Sequence, residues 1–443
     1  MDYFKIRGGK PLNGVVKVRG AKNSILELMP ASILTSEPVI LHNVPCLSDI
    51  ETLKSLLENF GSKIEWDKEN HTLILHTPKI TNIKAPYDIV KKMRASIYVL
   101  GALMGRCGEA KVSAPGGCII GQRPVNIHLE ALEALGANIE IHHGYIVGNA
   151  PMEDGRKRLK GGKINGRVRV QNGVNITTHG GTVNAIEAAV LAKGETIIEY
   201  ASLEPEVDDL INMLNSMGAK ITREKDGEID IIRIQGVDEL HGTEYSVMPD
   251  RLEAGTYAIA GIITGGKVEV QDTDVSTMTC VIDKFKSAGA KIIPTENGFI
   301  ADGENIDLKA VNIDVEQYPG FPTDMQSQFM ALMTVAKGSS VLKETLFENR
   351  LMYVPELVRM GANIEILGDS LARFNGVKKL CAADVMASDL RSGAALTLAG
   401  LVADGETVLH RVYHIYRGYE NFVENLRSLG ADIEVCEEDH IVE

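Results

Sequence analysis

A short pattern recurs six times along the chain, and that periodicity constrains the fold more than any other feature. An apolar, helix-like run ending in glycine and followed at once by a β-like segment reads LENFGSKIE around Gly61, LEALGANIE around Gly136 and LNSMGAKIT around Gly218. It returns as FKSAGAKII around Gly289, LVRMGANIE around Gly361 and LRSLGADIE around Gly430. Leu or Phe four residues before the glycine, usually with another apolar residue just before it, fits the buried face of a last helical turn. The glycine suits the left-handed position that stops a helix, and the isoleucine beyond it begins a strand.

A second landmark lies inside every repeat, a turn followed by a β-branched strand: SEPVIL at Ser36, GEAKV at Gly108, GETII at Gly194, GGKVEV at Gly265, GSSVL at Gly338 and GETVL at Gly405. At one fixed offset upstream of these turns lie Lys22, Arg94, Gly180, Arg251, Asp324 and Arg391, each opening an apolar, helix-like run. At a fixed offset downstream lie Ser48, Ile120, Glu206, Thr277, Arg350 and Arg417. Each unit therefore reads helix, strand, loop, helix, glycine, strand, with polar side chains at the start of the first helix and in the loop after the first strand. Units packed in register point those positions to one end, as functional loops do on repeat folds. The alternative, solvated helix starts and turns, leaves unexplained why Lys and Arg gather there in a chain of formal net charge −14.

The repeats divide the chain into a first domain over residues 22–246, holding units one to three, and a second over 247–443, holding units four to six. The strand-like opening residues 1–21 lack a partner in the first half and are expected to complete the second. Only the second unit departs visibly from the pattern, in the loop PGGCIIGQRP at Pro115–Pro124. The locally basic stretch Gly155–Asn172 reads as a connection between units rather than an anion site.

Composition narrows the function classes. An apolar fraction of 44% with 24% charged residues is ordinary for a globular protein and excludes disordered and collagenous chains. The acidic balance argues against nucleic acid or an anionic membrane as partner. The opening MDYFKIRGGKPLNG has no apolar signal core, and no run approaches the ~20 residues that span a bilayer, so a cytoplasmic protein is expected. Six cysteines stand singly with no CxxC pair, which disfavours zinc and a redox dithiol. No GxxxxGK[ST] run points to ATP hydrolysis, no HExxH to a metal, and no cofactor is expected.

What remains is anion chemistry. Lys22, Arg94, Arg123, Arg350, Arg391 and Arg417 come from both halves and suit a small, multiply charged anion. Cys118, between glycines and near Arg123, is a candidate nucleophile or proton carrier, because a neighbouring cation lowers a thiol pKa. Asp324 opens a helix where other units carry a cation, and either caps that helix or serves as a base. Glu204, Glu206 and Asp49 read as structural partners for Lys and Arg.

The chain resembles the enolpyruvyl transferases over essentially its full length. The resemblance rests on GAKN (Gly20–Asn23), MRAS (Met93–Ser96), PGGCIIGQRP (Pro115–Pro124), EPE (Glu204–Glu206) and PDRLEAGT (Pro249–Thr256). It continues through FPTDMQ (Phe321–Gln326), FENR (Phe347–Arg350), DLR (Asp389–Arg391) and YHIYRGYE (Tyr413–Glu420). It implies a two-domain, inside-out α/β barrel of six βαβαββ units, three per domain. The implied reaction moves the enolpyruvyl group of phosphoenolpyruvate onto the 3′-hydroxyl of UDP-N-acetylglucosamine through a tetrahedral ketal, releasing phosphate, in a monomeric enzyme of peptidoglycan synthesis. By resemblance Cys118 is the proton donor, able to form a covalent adduct and to react with the epoxide fosfomycin. Lys22, Asn23, Arg123, Arg391 and Arg417 are the phosphoenolpyruvate site, with Lys22 and Arg417 also catalytic. Asp324 is the base near the sugar hydroxyl, and Arg94, Arg123, Pro124, Val125, Asn126, Ile127, Asp324 and Leu346 belong to the nucleotide-sugar site. Three places depart from the family's pattern: Thr178–Thr182 reads THGGT where the uridine-side loop commonly reads SVGAT, Asn126 replaces a common Asp, and Ser48 stands where some members have Lys. Two alternatives stand beside this reading, a relative acting on another acceptor (a nucleotide or shikimate 3-phosphate) and a catalytically silent nucleotide-sugar sensor. Cys118 weighs against the shikimate branch.

Overall fold

The computed structural model describes residues 2–114, 125–169 and 175–437. Twelve helices carry the repeat, two per unit: α1 (Lys22–Ala31), α2 (Ser48–Asn59), α3 (Val99–Cys107), α4 (Asn126–Ala134), α5 (His179–Ala189), α6 (Pro205–Ser216), α7 (Arg251–Ile263), α8 (Thr279–Ser287), α9 (Thr323–Met333), α10 (Val354–Arg359), α11 (Leu390–Gly400) and α12 (Phe422–Ser428). The odd-numbered helices are mostly apolar or small and are buried almost throughout, as in α7, where every residue is buried, Arg251 and Glu253 included. The even-numbered helices are amphipathic; α2 buries Ile50, Leu53, Leu56 and Leu57 at helical spacing and leaves its charged face outside.

Each unit also forms one four-stranded sheet of the same topology. In the first unit Thr243–Ser246 runs parallel to Val39–His42, which pairs antiparallel with Thr72–His76, itself paired with Lys63–Asp67. The equivalent sheets are built on Glu109–Ser113, Glu195–Glu199, Lys267–Gln271, Ser339–Lys343 and Glu406–His410. The opening segment serves the second half: Asp2–Arg7 lies between Glu406–His410 and Asp432–Glu437, and Asn13–Lys17 runs parallel to Lys267–Gln271.

By contact density the described chain forms two compact units, residues 20–248 and residues 2–19 with 249–437. Within the first, α3 packs on α1 and α5; within the second, α9 and α11 pack on one another and on α7. Helices lie inside and sheets outside, so the architecture is α/β with the inside-out order expected. Among the described residues the strands form six separate four-stranded sheets and no continuous barrel; the edge strands are as short as two residues at Lys84–Ala85 and Ile313–Asp314. Among the described residues no helix is long and apolar enough to cross a membrane.

All six repeat glycines adopt positive φ, from +83° at Gly136 to +104° at Gly61, which lets each even-numbered helix turn directly into its strand. At Gly289 a Cβ would also sit 3.0 Å from the Asp307 carbonyl oxygen. Gly289→Ala is therefore expected to cost about 2 kcal/mol and to lower Tm by about 4–8 °C. Gly368→Ala, where a Cβ meets open space, is the control expected to change little; calorimetry on both variants checks the pair.

Candidate active site

The odd-numbered helices begin with the residues that the repeat singles out. In the unit of residues 20–248, Lys22 is the first residue of α1, Arg94 opens the 3-10 turn Arg94–Tyr98 that leads into α3, and His179–Gly180 open α5. Lys22 is mostly buried, with Nζ 3.3 Å from the buried Asp49 carboxylate at the start of α2. Asn23 follows it in the same turn. Asp49 thus holds the lysine, the structural role expected of it.

The nucleotide-side candidates gather around α4. Val125 precedes this helix, Asn126 and Ile127 open it, and Ile127 is buried. Gly180 packs on this segment: a Cβ there would lie 3.1 Å from His128 and 3.3 Å from the ring of Tyr98. His128 is buried, and its Nδ1 pairs with Asn184 Nδ2 at 2.7 Å, while Asn184 also accepts the Gly101 amide. Burial, aided by the Arg94 cation, pushes the His128 pKa down to about 3. The imidazole is therefore neutral at working pH. Cys118, Arg123 and Pro124 lie outside the described residues.

In the other unit a charged ring forms around Asp324, the second residue of α9. Arg350 donates to its Oδ1 at 2.8 Å and Arg391, the second residue of α11, donates to its Oδ2 at 3.1 Å. Both guanidinium groups are almost wholly buried, and Arg350 also reaches Asp389 at 3.7 Å. Asp389 caps α11, accepting from the Arg391 and Ser392 amides in a capping box. Burial opposes the Arg391 charge, but the Asp324 carboxylate outweighs it, so the arginine is held firmly protonated. The Tyr419 hydroxyl accepts from Arg391 at 3.4 Å and exchanges a hydrogen bond with Thr256 at 2.9 Å. Arg417 ends the 3-10 turn Val412–Arg417 in the same unit. Leu346 follows the strand Ser339–Lys343, its amide donating to Glu344 at 2.8 Å.

Asp324 is not the cap of α9, a position taken by Pro322; it is an anion already gripped by two cations. Arg350, first noticed only as one cation among six, is drawn into direct contact with it. Asp389 and Tyr419 were missed as partners, although both lie inside the DLR and YHIYRGYE motifs. The basic stretch after Gly155 is structural at Arg158, which donates to the carbonyls of Leu191 and Val237 and to Asp238.

The sequence profile of EPSP synthase (3-phosphoshikimate 1-carboxyvinyltransferase) matches residues 6–426. A UDP-N-acetylglucosamine 1-carboxyvinyltransferase of Idiomarina loihiensis is 49% identical over 434 residues, covering 98% of this chain and 99% of that protein. Another, of Novosphingobium aromaticivorans, is 49% identical over 441 residues with the same coverage. Among solved structures, the enolpyruvyl transferase NikO from Streptomyces tendae superposes with a TM-score of 0.87 at 25% identity, covering 98% of each chain. EPSP synthase from Acinetobacter baumannii shares the fold, with a TM-score of 0.74 at 18% identity over 99% of this chain and 100% of that one.

The burial of His128 has a direct test. Its ring resonances are expected to stay unchanged by NMR from pH 8 down to pH ~4.5, well below the ordinary histidine pKa of ~6.5. Because the unfolded histidine binds its proton first, this residue removes stability as pH falls from about 6.5 towards about 3. A titration midpoint near 6 would contradict the buried, neutral assignment.

Proposed function

Because the chain belongs to the EPSP synthase family, we propose that it transfers the enolpyruvyl group of phosphoenolpyruvate to the 3′-hydroxyl of UDP-N-acetylglucosamine, releasing phosphate, as the first committed step of peptidoglycan synthesis in the cytoplasm. The observation that carries the acceptor is the 49% identity over 98% of the chain to proteins named for that reaction, against 18% to an EPSP synthase of the same fold.

The reaction is an addition followed by an elimination. The acceptor hydroxyl loses its proton and its oxygen bonds to C2 of phosphoenolpyruvate while C3 gains a proton, giving a tetrahedral ketal. Loss of a C3 proton and cleavage of the C2–O bond to phosphate then regenerate the enol ether. Two kinds of group are required, cations that hold phosphate and carboxylate and groups that move protons. Lys22, Arg391 and Arg417 supply cations, with Arg123 expected to join them, and Asn23 contacts the reacting groups. Asp324 is the base for the hydroxyl. Both its oxygens already accept from guanidinium groups, so its action as a base requires Arg391 or Arg350 to yield one of them. An incoming phosphate or carboxylate is a natural competitor for Arg391. Arg94, Asn126 and the segment around Ile127 form the nucleotide end, with Leu346 at the sugar. Cys118 delivers the proton to C3.

Phosphate release measured with a panel of acceptors tests the specific reading. UDP-N-acetylglucosamine is expected to outcompete UMP and shikimate 3-phosphate, and equal turnover with either competitor would leave only the family.

A second test concerns the proton donor. Aspartate is an acid of similar reach, provided its surroundings raise its reference pKa of ~3.9, whereas a serine hydroxyl is far less acidic. Cys118→Asp is expected to retain measurable turnover with a pH optimum shifted downward, and Cys118→Ser to lose most of it. Both lose the fosfomycin adduct, because neither oxygen side chain matches a thiolate as nucleophile. Full activity in the serine form, or an adduct on another cysteine by mass spectrometry, would remove Cys118 from the mechanism.

A further inference from the structure

The nucleotide-side turn at the start of α5 is anchored by a charge pair inside the unit. Glu27, one turn into α1 beyond Lys22 and Asn23, is buried to 1% exposure in an otherwise apolar run. Its Oε1 pairs with Nε2 of His179, the first residue of α5, in a short contact. Its Oε2 and the His179 Nδ1 are buried with no hydrogen-bond partner among the described residues. Two turns further along α5, Glu187 is wholly buried, and neither of its oxygens has a hydrogen-bond partner among the described residues. Around the pair α6 presents Glu204, Glu206 and Asp209, the last accepting from Tyr245 at 2.6 Å and from Ser24 of α1. On the other side of the turn, α4 presents His128 and the 3-10 turn presents Arg94.

Such a pair does little for stability. Desolvating both ions offsets most of their attraction, and well-packed apolar residues of similar volume usually serve a core as well or better. Its geometric consequence is larger. Thr178 accepts the Gly181 amide at 3.2 Å, the Thr182 hydroxyl donates back to the Thr178 carbonyl at 2.8 Å, and His179 lies between them with its ring held down onto α1. The position of the 178–182 turn against Ile127, His128 and Tyr98 therefore depends on a bond to the helix that begins with Lys22.

We propose that Glu27 and His179 are positioning residues: their buried ionic tie between α1 and α5 sets the 178–182 turn and thereby the affinity for the nucleotide part of the acceptor. The inference rests on the functional reading above, in which that turn lies on the uridine side. The tie also explains why a histidine stands where the family commonly has valine: the buried carboxylate of Glu27 needs a cation, and the first residue of α5 is the position that supplies it. Burial alone would lower the His179 pKa, but the Glu27 carboxylate overrides it and raises it to about 9. Burial raises the Glu27 pKa in turn, and that of Glu187 further, with Glu27 adding to it.

The test compares the full-length wild type with Glu27→Gln, His179→Gln and the double variant Glu27→Leu/His179→Val, which removes both charges and so leaves no ion stranded. Expected in all three variants is a rise of about tenfold in KM for UDP-N-acetylglucosamine and in Kd for UDP by calorimetry. KM for phosphoenolpyruvate and kcat at saturation stay within about twofold of wild type. The double variant melts at or above the wild-type temperature, separating position from stability. The pH profile adds a signature of its own. The His179 charge is complete below the ordinary histidine pKa and is lost as pH rises through about 9, so wild-type UDP affinity falls there. In Glu27→Gln the same fall moves to lower pH than in the wild type, since only Glu204 and Glu206 then remain to oppose burial. A double variant with wild-type KM for the nucleotide sugar, or an equal rise in KM for phosphoenolpyruvate, overturns the tie. A wild type that does not turn over UDP-N-acetylglucosamine defeats the functional reading instead, and UDP binding by the variants then decides the tie alone.

Discussion

Everything in this fold follows from burying three helices side by side inside each unit. A helix buried on all sides has no solvated face on which to carry charge, so its polar groups collect at its ends or must find partners inside. The N-terminal ends carry Lys22, Arg94 and His179 in one unit and Arg251, Asp324 and Arg391 in the other. Unpaired N–H groups at those ends favour anions, and the cations beside them add to that preference. Packing demands small residues where the helices cross: the backbones of α3 and α5 approach so closely that a Cβ at Gly101 would lie 2.5 Å from the Asn184 carbonyl. Core economy and anion chemistry are thus two results of one arrangement.

The same burial explains the energetics of the charged ring in the second unit. Arg350 and Arg391 are almost solvent-free, and each would be costly alone; Asp324 between them and Asp389 beside Arg350 make them tolerable. An anion arriving at Arg391 replaces part of what Asp324 provides. In the proposed reaction, binding of an anion and release of Asp324 as a base are coupled through that shared guanidinium.

The first unit solves a similar problem with less. Asp49 secures Lys22, and Asp209 is well supplied with donors from Ser24, Tyr245 and the Met248 amide. Among the described residues Glu27 has only His179 as a hydrogen-bond partner and Glu187 has none, and the Glu187 pKa is raised well above the usual carboxylate range by burial and by Glu27. Glu27 and His179 connect the helix that begins with Lys22 to the turn that opens α5.

Much of this was legible in the sequence because its causes are local. A helix stop at positive φ calls for glycine, so six glycines marked six helix ends. Continuous apolar runs told buried helices from the amphipathic ones, and the polar residues opening those runs marked the ends where chemistry gathers. What the sequence could not tell was who pairs with whom. Asp324 read equally as a cap or a base until α9 and α11 were packed together and Arg391, far along the chain, closed on it. Glu27 drew no notice in the sequence, and His179 read only as part of a loop that departs from the family's pattern, because nothing local connects residues 152 positions apart. The opening strands likewise became an inner strand of the last sheet and an edge of the fourth only through long-range pairing. Backbone conformation and hydrophobic period are set within a few residues; the partner of a buried charge is set by whichever helices the core brings into contact, and only the tertiary structure decided that.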